Sequence, residues 1–354
     1  MSNTYNEFAG HMIASCELIK ELGRGNNGVV YLAHQKKLNR KIACKLIAPD
    51  LKEDPDFMDN LFAEAANAAR LSHPNIIQAL DVGDAGELKY FLMEYVDGDS
   101  LEHIRANNPE VFSTEYLLDI FIQLTEALDY AWSEHRMIHG DIKPGNIMIA
   151  RDNVLKVGDL GLARSSNGVT GDPSDVMITP LYAAPEIIAQ QSNDPDPRSD
   201  IYSFGVMFYE LACGAAPFTG SIEEILQSHL YAEPQPLIKM NPDMDKELAR
   251  FIDRMLAKNP EDRPADWKKV RAGLQAIRKR LFPGSGVNAV NSVKTTTTTT
   301  TRTVYSTTTG TSWNAEQKEE NSILKKFPWI LPVALILVIC AALFYIVITM
   351  GLFE

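Results

Sequence analysis

Two kinds of hydrophobic pattern divide the chain. Short apolar runs at 18–22, 29–32 and 41–47 are bounded by turn residues or alternate with polar ones, which is typical of β-strands. From Tyr116 onward, apolar residues recur every three or four positions, which predicts helices. The first stripe consists of Leu117, Phe121, Leu124, Leu128 and Ala131, and the last of Trp267, Val270, Leu274, Ile277 and Leu281. The pattern therefore predicts an α+β protein with a small β-rich part before a larger helical part.

A polar loop and a hairpin follow the first helical stripe. Asp141 and Asn146 are separated by a stretch with a proline and a glycine, so they belong to a stiff loop and not to a helix. Apolar runs at 147–149 and 154–157 flank a polar turn and predict a β-hairpin. Asp159 leaves this hairpin on the same side as Asn146. A carboxylate and an amide oxygen can therefore share a metal ion there, with Asp141 facing them.

Three glycines near the N-terminus stand between two predicted strands: Gly23, Gly25 and Gly28. Residues without a Cβ atom let backbone amides approach a phosphate group closely. A dinucleotide-binding loop has the same glycine spacing, but a helix follows its last glycine. Here the run 29–32 continues as a strand, which favours the hairpin type of nucleotide loop.

The loop around Asp141 and the segment that begins at Asp159 resemble the H-R-D-L-x-x-x-N and D-F-G signatures of protein kinases. The resemblance implies that Asp141 accepts or orients the proton of the substrate hydroxyl, and that Asn146 and Asp159 hold Mg²⁺. Lys143, two residues after Asp141, is the choice of Ser/Thr kinases. Because the motifs follow in order over residues 13–282, the chain is similar to a two-lobed kinase domain. Such a domain uses ATP and Mg²⁺ and phosphorylates Ser/Thr hydroxyls of proteins.

The resemblance extends to the nucleotide site. It implies that Lys45, in a strand similar to the family's V-A-I-K, contacts the α- and β-phosphates, with Glu64 as its candidate partner. Taken alone, these two residues could equally be a strand lysine and a solvated helix glutamate. The backbones of Glu94 and Val96 would bond the adenine edge. Three apolar residues would pack against the faces of the base: Val30, Ala43 and Met148.

Four residues of the helical part also match the family. The resemblance implies that Thr179, before the Ala-Pro-Glu ending of the activation segment, touches the aspartate and the lysine of the catalytic loop. Glu186, in that ending, would pair with Arg263 across the lower lobe. Asp200, near the start of an apolar helix, would brace the catalytic loop from below.

Two positions depart from the family pattern and leave alternatives open. Gly140 replaces the arginine of H-R-D, which normally receives a phosphate, and the usual phosphosite falls on Asp175. Both changes predict an activation segment that phosphorylation at that position does not switch. Gly140 also leaves open a catalytically weak pseudokinase scaffold. The His-Gly-Asp spelling occurs in small-molecule kinases as well, although these lack the Ala-Pro-Glu ending.

Composition and charge change the picture at the C-terminus. The net charge of −12 argues against nucleic acid as a partner. Residues 283–326 are rich in Thr and Ser, which predicts a disordered linker. Residues 327–353 form 27 positions without a charge, longer than the ~20 needed to span a bilayer, and predict a transmembrane helix over a buried core helix. Lys325 and Lys326 before this run predict a single-pass membrane protein with its kinase domain in the cytoplasm.

Overall fold

The computed structural model describes residues 8–25, 28–47, 69–86, 88–160, 179–190 and 196–284. Within these ranges no helix combines the length and the apolar character that a membrane span requires. The predicted span 327–353, nearly all of the predicted linker 283–326, Glu64 and Asp175 lie outside the described residues.

The first part of the chain folds into an antiparallel sheet of six strands in the order β1-β2-β3-β4-β6-β5. The strands are β1 Met12–Ile13, β2 Cys16–Gly25, β3 Gly28–Gln35, β4 Arg40–Ile47, β5 Ala79–Ala85 and β6 Leu88–Glu94. Alternation places Tyr31, Cys44 and Leu46 in one buried cluster. Ala43 and Met93 belong to a second cluster. The β-rich first part is therefore confirmed, and its second cluster includes apolar residues that were predicted to surround the nucleotide.

The second part is mainly helical and packs around one long helix. Its helices are α1 Leu101–Asn107, α2 Thr114–His135, α3 Pro185–Ile188, α4 Pro197–Cys213, α5 Ile222–Tyr231, α6 Leu237–Met240, α7 Lys246–Met255 and α8 Trp267–Leu281. The predicted apolar stripe of α2 is buried, and the ring of Phe121 packs edge-on at 4.7 Å from both Phe204 and Phe208 of α4. Both predicted helical stripes are thus confirmed, because each faces the core of this part.

A small second sheet, ordered β7-β8-β9, carries the polar loops. Its strands are β7 Gly98–Ser100, β8 Ile147–Ala150 and β9 Leu155–Val157. The predicted hairpin at 147–157 is confirmed as β8 and β9, which pair antiparallel. Asn75 joins this hairpin to the first part, since its side-chain amide donates to the Leu155 carbonyl at 2.8 Å and its own carbonyl accepts from the Val157 amide at 2.8 Å. The two parts are therefore tied together beside the polar loops.

Candidate active site

The catalytic loop, which contains Asp141 and Asn146, is stabilised by hydrogen bonds between these two residues. Asn146 lies in a tight turn, Pro144–Asn146, directly before β8. Its amide Nδ2 donates to the Asp141 carbonyl at 2.8 Å and to Asp141 Oδ2 at 2.9 Å. Because both donated bonds leave from the nitrogen, the Oδ1 oxygen of Asn146 remains the atom of this amide suited to a cation. The structure therefore brings these two predicted residues together.

Thr179, at the end of the activation segment, contacts two residues of the catalytic loop. Its hydroxyl donates to Asp141 Oδ1 at 2.6 Å and accepts from Lys143 Nζ at 2.9 Å. Lys143 Nζ also lies 2.6 Å from Asp141 Oδ2. The predicted contacts of Thr179 with both residues are confirmed. Hydrogen bonds to charged groups are stronger than neutral ones, so this triad fixes the orientation of the Asp141 carboxylate.

Asp159 and Lys45 form the second charged pair of the site. Lys45 Nζ donates to Asp159 Oδ1 at 3.0 Å and to Oδ2 at 3.1 Å. Burial alone would raise the pKa of the Asp159 carboxyl, but the ammonium of Lys45 outweighs burial and holds that pKa below its ordinary value. Asp159 is therefore ionised at neutral pH. The structure pairs Lys45 with Asp159, whereas its predicted partner Glu64 lies outside the described residues.

Asn146 and Asp159 have the donor atoms that Mg²⁺ prefers. Mg²⁺ is bound through one or two carboxylates and other oxygen ligands. The Gly158 amide donates to the Asn146 carbonyl at 2.8 Å, so the residue before Asp159 is bonded directly to Asn146. An ionised carboxylate and an amide oxygen thus belong to residues at the two ends of one hairpin, where its strands lie side by side. This donor set fits the predicted metal site.

His139 connects the two polar loops, although the sequence analysis gave it no role. The Asp141 amide donates to its Nδ1 at 3.3 Å. The other ring nitrogen, Nε2, therefore carries the hydrogen and donates it to the Gly158 carbonyl at 3.0 Å. The His139 side chain is buried. A histidine two residues before the catalytic aspartate was the only sequence signal for this connection.

Asp200 and Gly140 fix the backbone of the catalytic loop. The Asp200 carboxylate accepts from the His139 amide at 2.6 Å and from the Gly140 amide at 2.9 Å, so the predicted bracing is confirmed. Gly140 has φ +79°, in the left-handed region that favours glycine. Glycine adopts this conformation without strain, so Gly140 is compatible with the backbone that Asp200 holds.

The predicted adenine pocket has both apolar residues and polar contacts. Val30 packs against the cluster that contains Ala43, and Met148 is half-buried on β8. The Glu94 amide donates to the Gln78 carbonyl at 2.9 Å, and its carboxylate lies 2.7 Å from Lys156 Nζ. The fold thus uses the amide hydrogen of Glu94. Sequence reasoning did not find the Glu94–Lys156 ion pair.

Val96 and the glycine loop complete the set of predicted nucleotide residues. The Val96 carbonyl accepts from the Gly98 amide at 3.1 Å. Gly23 and Gly25 end β2, and Gly28 begins β3. A Cβ atom on Gly28 would lie 1.9 Å from the Leu46 carbonyl oxygen, whereas one on Gly23 would meet nothing within 4 Å. The close packing of β3 on β4 therefore requires glycine at position 28, whether or not a phosphate approaches.

A buried ion pair joins Glu186, at the end of the activation segment, to Arg263. Arg263 donates to both carboxylate oxygens of Glu186, at 2.7 and 2.8 Å, which confirms the predicted pair. Its remaining donor contacts are backbone carbonyls: Ala257, Arg198 and Lys258. We call Glu186, Arg263 and these three carbonyls the ion-pair frame. The frame ties the end of the activation segment to the segment before α8.

Known proteins match the sequence and the fold of this chain. The family model described as the protein kinase domain matches residues 16–274. The chain therefore belongs to the protein kinase family.

Bacterial kinases are among its relatives. Serine/threonine-protein kinase PknB of Mycolicibacterium smegmatis is 35% identical over 282 residues, which cover 77% of this chain and 44% of that protein. The crystal structure of the Mycobacterium tuberculosis PknI kinase domain is 26% identical with a TM-score of 0.62, covering 76% of this chain and 98% of that one. The structure described as the PpkA-294 apo form has a TM-score of 0.65 at 26% identity, covering 75% and 98%. The chain spans less than half the length of the curated relatives it matches.

Proposed function

We propose that this chain is a serine/threonine protein kinase that transfers the γ-phosphate of ATP to protein Ser/Thr hydroxyls. The observation that carries the proposal is the triad of Asp141, Lys143 and Thr179, with the Lys45–Asp159 pair beside it. The first group can orient a hydroxyl nucleophile, and the second can hold phosphates and a cation. The PknB relatives, which are described as serine/threonine-protein kinases, support the choice of a protein as acceptor.

Each residue of the site has a role that follows from its contacts. Asp141 Oδ1 accepts from the hydroxyl of Thr179, so the same carboxylate can accept a hydrogen bond from the hydroxyl of a substrate and take its proton. Lys143, beside Asp141 Oδ2, places a positive charge where phosphate charge develops. An ammonium has three N–H groups, and Asp159 engages Lys45 through two contacts, which permits a further contact to a phosphate oxygen. Asn146 and Asp159 would hold Mg²⁺, which neutralises the charge of the phosphates.

Two other functions of the same fold are less well supported. A pseudokinase scaffold was suggested by Gly140, but Asp141, Lys143 and Thr179 contact one another with glycine at that position. A small-molecule kinase would have to explain the Glu186–Arg263 pair at the end of a protein-kinase activation segment.

The test is phosphotransfer by the full chain with ATP and Mg²⁺ to casein, read by mass spectrometry. We expect phosphoserine or phosphothreonine. Lys45→Met and Asp159→Ala should each abolish transfer, because each removes one charge of the Lys45–Asp159 pair. The melting temperature of each variant shows that the fold is kept. Lys41→Met is a matched control, since Lys41 is an exposed lysine of the same strand. Full activity in both site variants, or phosphotyrosine as the only product, would contradict the proposal.

We also propose that the kinase domain is tethered to the cytoplasmic face of a membrane through residues 327–353. The proposal rests on the uncharged run of the sequence and the lysines before it. Removing residues 323–354 should leave a soluble protein that still phosphorylates casein. The full chain should sediment with membranes and require detergent for release. Recovery of the full chain in the soluble fraction without detergent would contradict the tether.

A further inference from the structure

His229 is a fully buried residue of α5 that lies outside the site described above. Its ring Nε2 lies 3.1 Å from the carbonyl oxygen of Leu181. A carbonyl oxygen can only accept, so Nε2 carries a hydrogen and donates it. The hydroxyl of Tyr202 then donates to Nδ1 at 2.8 Å. Both ring nitrogens are therefore engaged, and the tautomer of His229 is fixed.

The surroundings of His229 keep it in this state. The ring of Phe218 packs edge-on at 5.0 Å, and Lys258 Nζ donates to the His229 carbonyl at 2.8 Å. Burial, together with the charge of Lys258, lowers the pKa of His229, which supports a neutral ring. The guanidinium of Arg263 lies 4.9 Å from the ring centroid of Tyr202. His229 is thus connected through Tyr202 to the ion-pair frame.

The carbonyl that His229 binds belongs to the turn that follows Thr179. This turn spans Pro180–Tyr182, and the Tyr182 amide donates to the Thr179 carbonyl at 3.1 Å. Ser203 holds the same turn from α4, since its hydroxyl donates to the Tyr182 carbonyl at 2.7 Å. A turn this short transmits a shift of Leu181 to Thr179, because only one residue lies between them. The bond from His229 therefore acts two positions away from Thr179, whose hydroxyl contacts Asp141.

We infer that His229 is a positioning residue for phosphotransfer: through the Leu181 carbonyl it sets Thr179 against Asp141 and Lys143. The inference rests on the proposed kinase function and adds a residue that lies 50 positions after Thr179 in the sequence. It also gives α5 a role in the reaction, since His229 of this helix is bonded to the turn that follows Thr179.

The test compares four variants of the full chain by casein phosphorylation. His229→Leu removes both hydrogen bonds, and we expect about three- to tenfold lower kcat, the effect of one hydrogen bond, with unchanged affinity for ATP. His229→Gln keeps a donor for Leu181 and should restore most of the rate. Tyr202→Phe should have an intermediate effect, because it removes only the bond that orients the ring. Gln227→Ala, an exposed position of the same helix, is the control that should match the wild type.

A double-mutant cycle separates positioning from a loss of fold. If His229 acts through Thr179, His229→Leu should lower kcat much less in a Thr179→Ala background than in the wild type. Additive losses in the two backgrounds would overturn the inference. So would a loss in His229→Gln equal to that in His229→Leu.

Hydrogen exchange gives an answer that does not require activity. The Tyr182 and Ala183 amides are bonded within the turn, so a peptide covering 179–184 reports on its order. We expect faster exchange of this peptide in His229→Leu than in the wild type, and no change in Gln227→Ala. Unchanged exchange in His229→Leu would overturn the inference even if the wild type were inactive, whereas faster exchange with an inactive wild type would count against the proposed function alone.

Discussion

The active site and the ion-pair frame use the same kinds of side chain in opposite ways. In the frame, Arg263 is 2% exposed and its guanidinium binds Glu186 and three carbonyls. In the active site, the Asp159 and Asp141 side chains are 35% and 21% exposed. A guanidinium has five N–H groups, so the frame leaves no donor over, whereas the carboxylates of the active site can still meet a ligand.

The pKa shifts of the two regions have the same pattern but different consequences. Burial would raise the pKa of Glu186, yet hydrogen bonds from Arg263 lower it. Burial would raise that of Asp159, yet Lys45 lowers it. Both carboxylates are therefore ionised at neutral pH. The Glu186 side chain is 13% exposed and is paired with Arg263, whereas the Asp159 side chain is 35% exposed and can meet a cation as well as Lys45. We conclude that loss of a charge should destabilise the frame but inactivate the site.

The largest expected effect is on the rate, from Asp141→Asn. The asparagine side chain has one acceptor oxygen in place of two, so it cannot accept from both Thr179 and Asn146 as Asp141 does. Loss of the base should lower kcat by about 10²–10⁴-fold. The melting temperature should change little, because Asp141 is partly exposed. Asp152→Asn is the control, since Asp152 lies at the exposed tip of the β8–β9 hairpin that follows the catalytic loop. A rate within twofold of the wild type would show that Asp141 is not the base.

The frame should respond in the other way. Arg263→Met leaves the largely buried Glu186 without its cation, and breaking a buried pair costs about 3–5 kcal/mol. We expect this loss in the free energy of unfolding, measured in urea. Arg280→Met is the matched control, since Arg280 pairs with Asp245 and Glu247 at the surface and should lose little. Equal losses in the two variants would show that burial does not distinguish the frame from a surface pair.

What the sequence could predict depended on how far apart the interacting residues are. Asn146 and Asp159 were predicted to lie on the same side of one hairpin, with Asp141 facing them. The structure has this hairpin, and it bonds Asn146 both to Asp141 and to Gly158, the residue before Asp159. The Thr179 and Arg263 contacts span 38 and 77 positions, and only the family resemblance gave them. No pattern of spacing indicates which distant residues meet.

Three features were missed for this reason. The Glu94–Lys156 pair joins residues 62 positions apart, and the His229–Leu181 bond joins residues 48 apart. Neither has a periodic signal, since both depend on how separate elements pack. Gly28 was predicted to serve a phosphate, but the sheet itself also requires glycine there, because a Cβ atom at this position would clash with the Leu46 carbonyl. The sequence shows that glycine is present, whereas only the packed strands show what a side chain would meet.

The smallest expected effect concerns pH and extends the comparison to His229, which borders the frame through Tyr202. Its pKa falls from an ordinary 6.5 to about 4 in the folded protein, because of burial and then the charge of Lys258. Between these values the unfolded chain binds more protons than the folded one. The free energy of unfolding therefore decreases as the pH falls from 6.5 towards 4. From pH 7 to pH 5 we expect a loss of about 2 kcal/mol from this residue.

Urea unfolding of the wild type and His229→Gln at pH 7 and pH 5 measures this loss. The variant should lose about 2 kcal/mol less between the two pH values, because its side chain does not titrate. His73, whose pKa is also lowered by burial, acts in the same direction, but it is present in both proteins and cancels. Glu186 and Asp159 have lowered pKa values, so the stability that they contribute is lost only at more acidic pH. Equal losses in the two proteins would mean that His229 accepts a proton in the folded state as readily as in the unfolded chain. In that case the neutral ring that donates to Leu181 would not be the state that the fold selects.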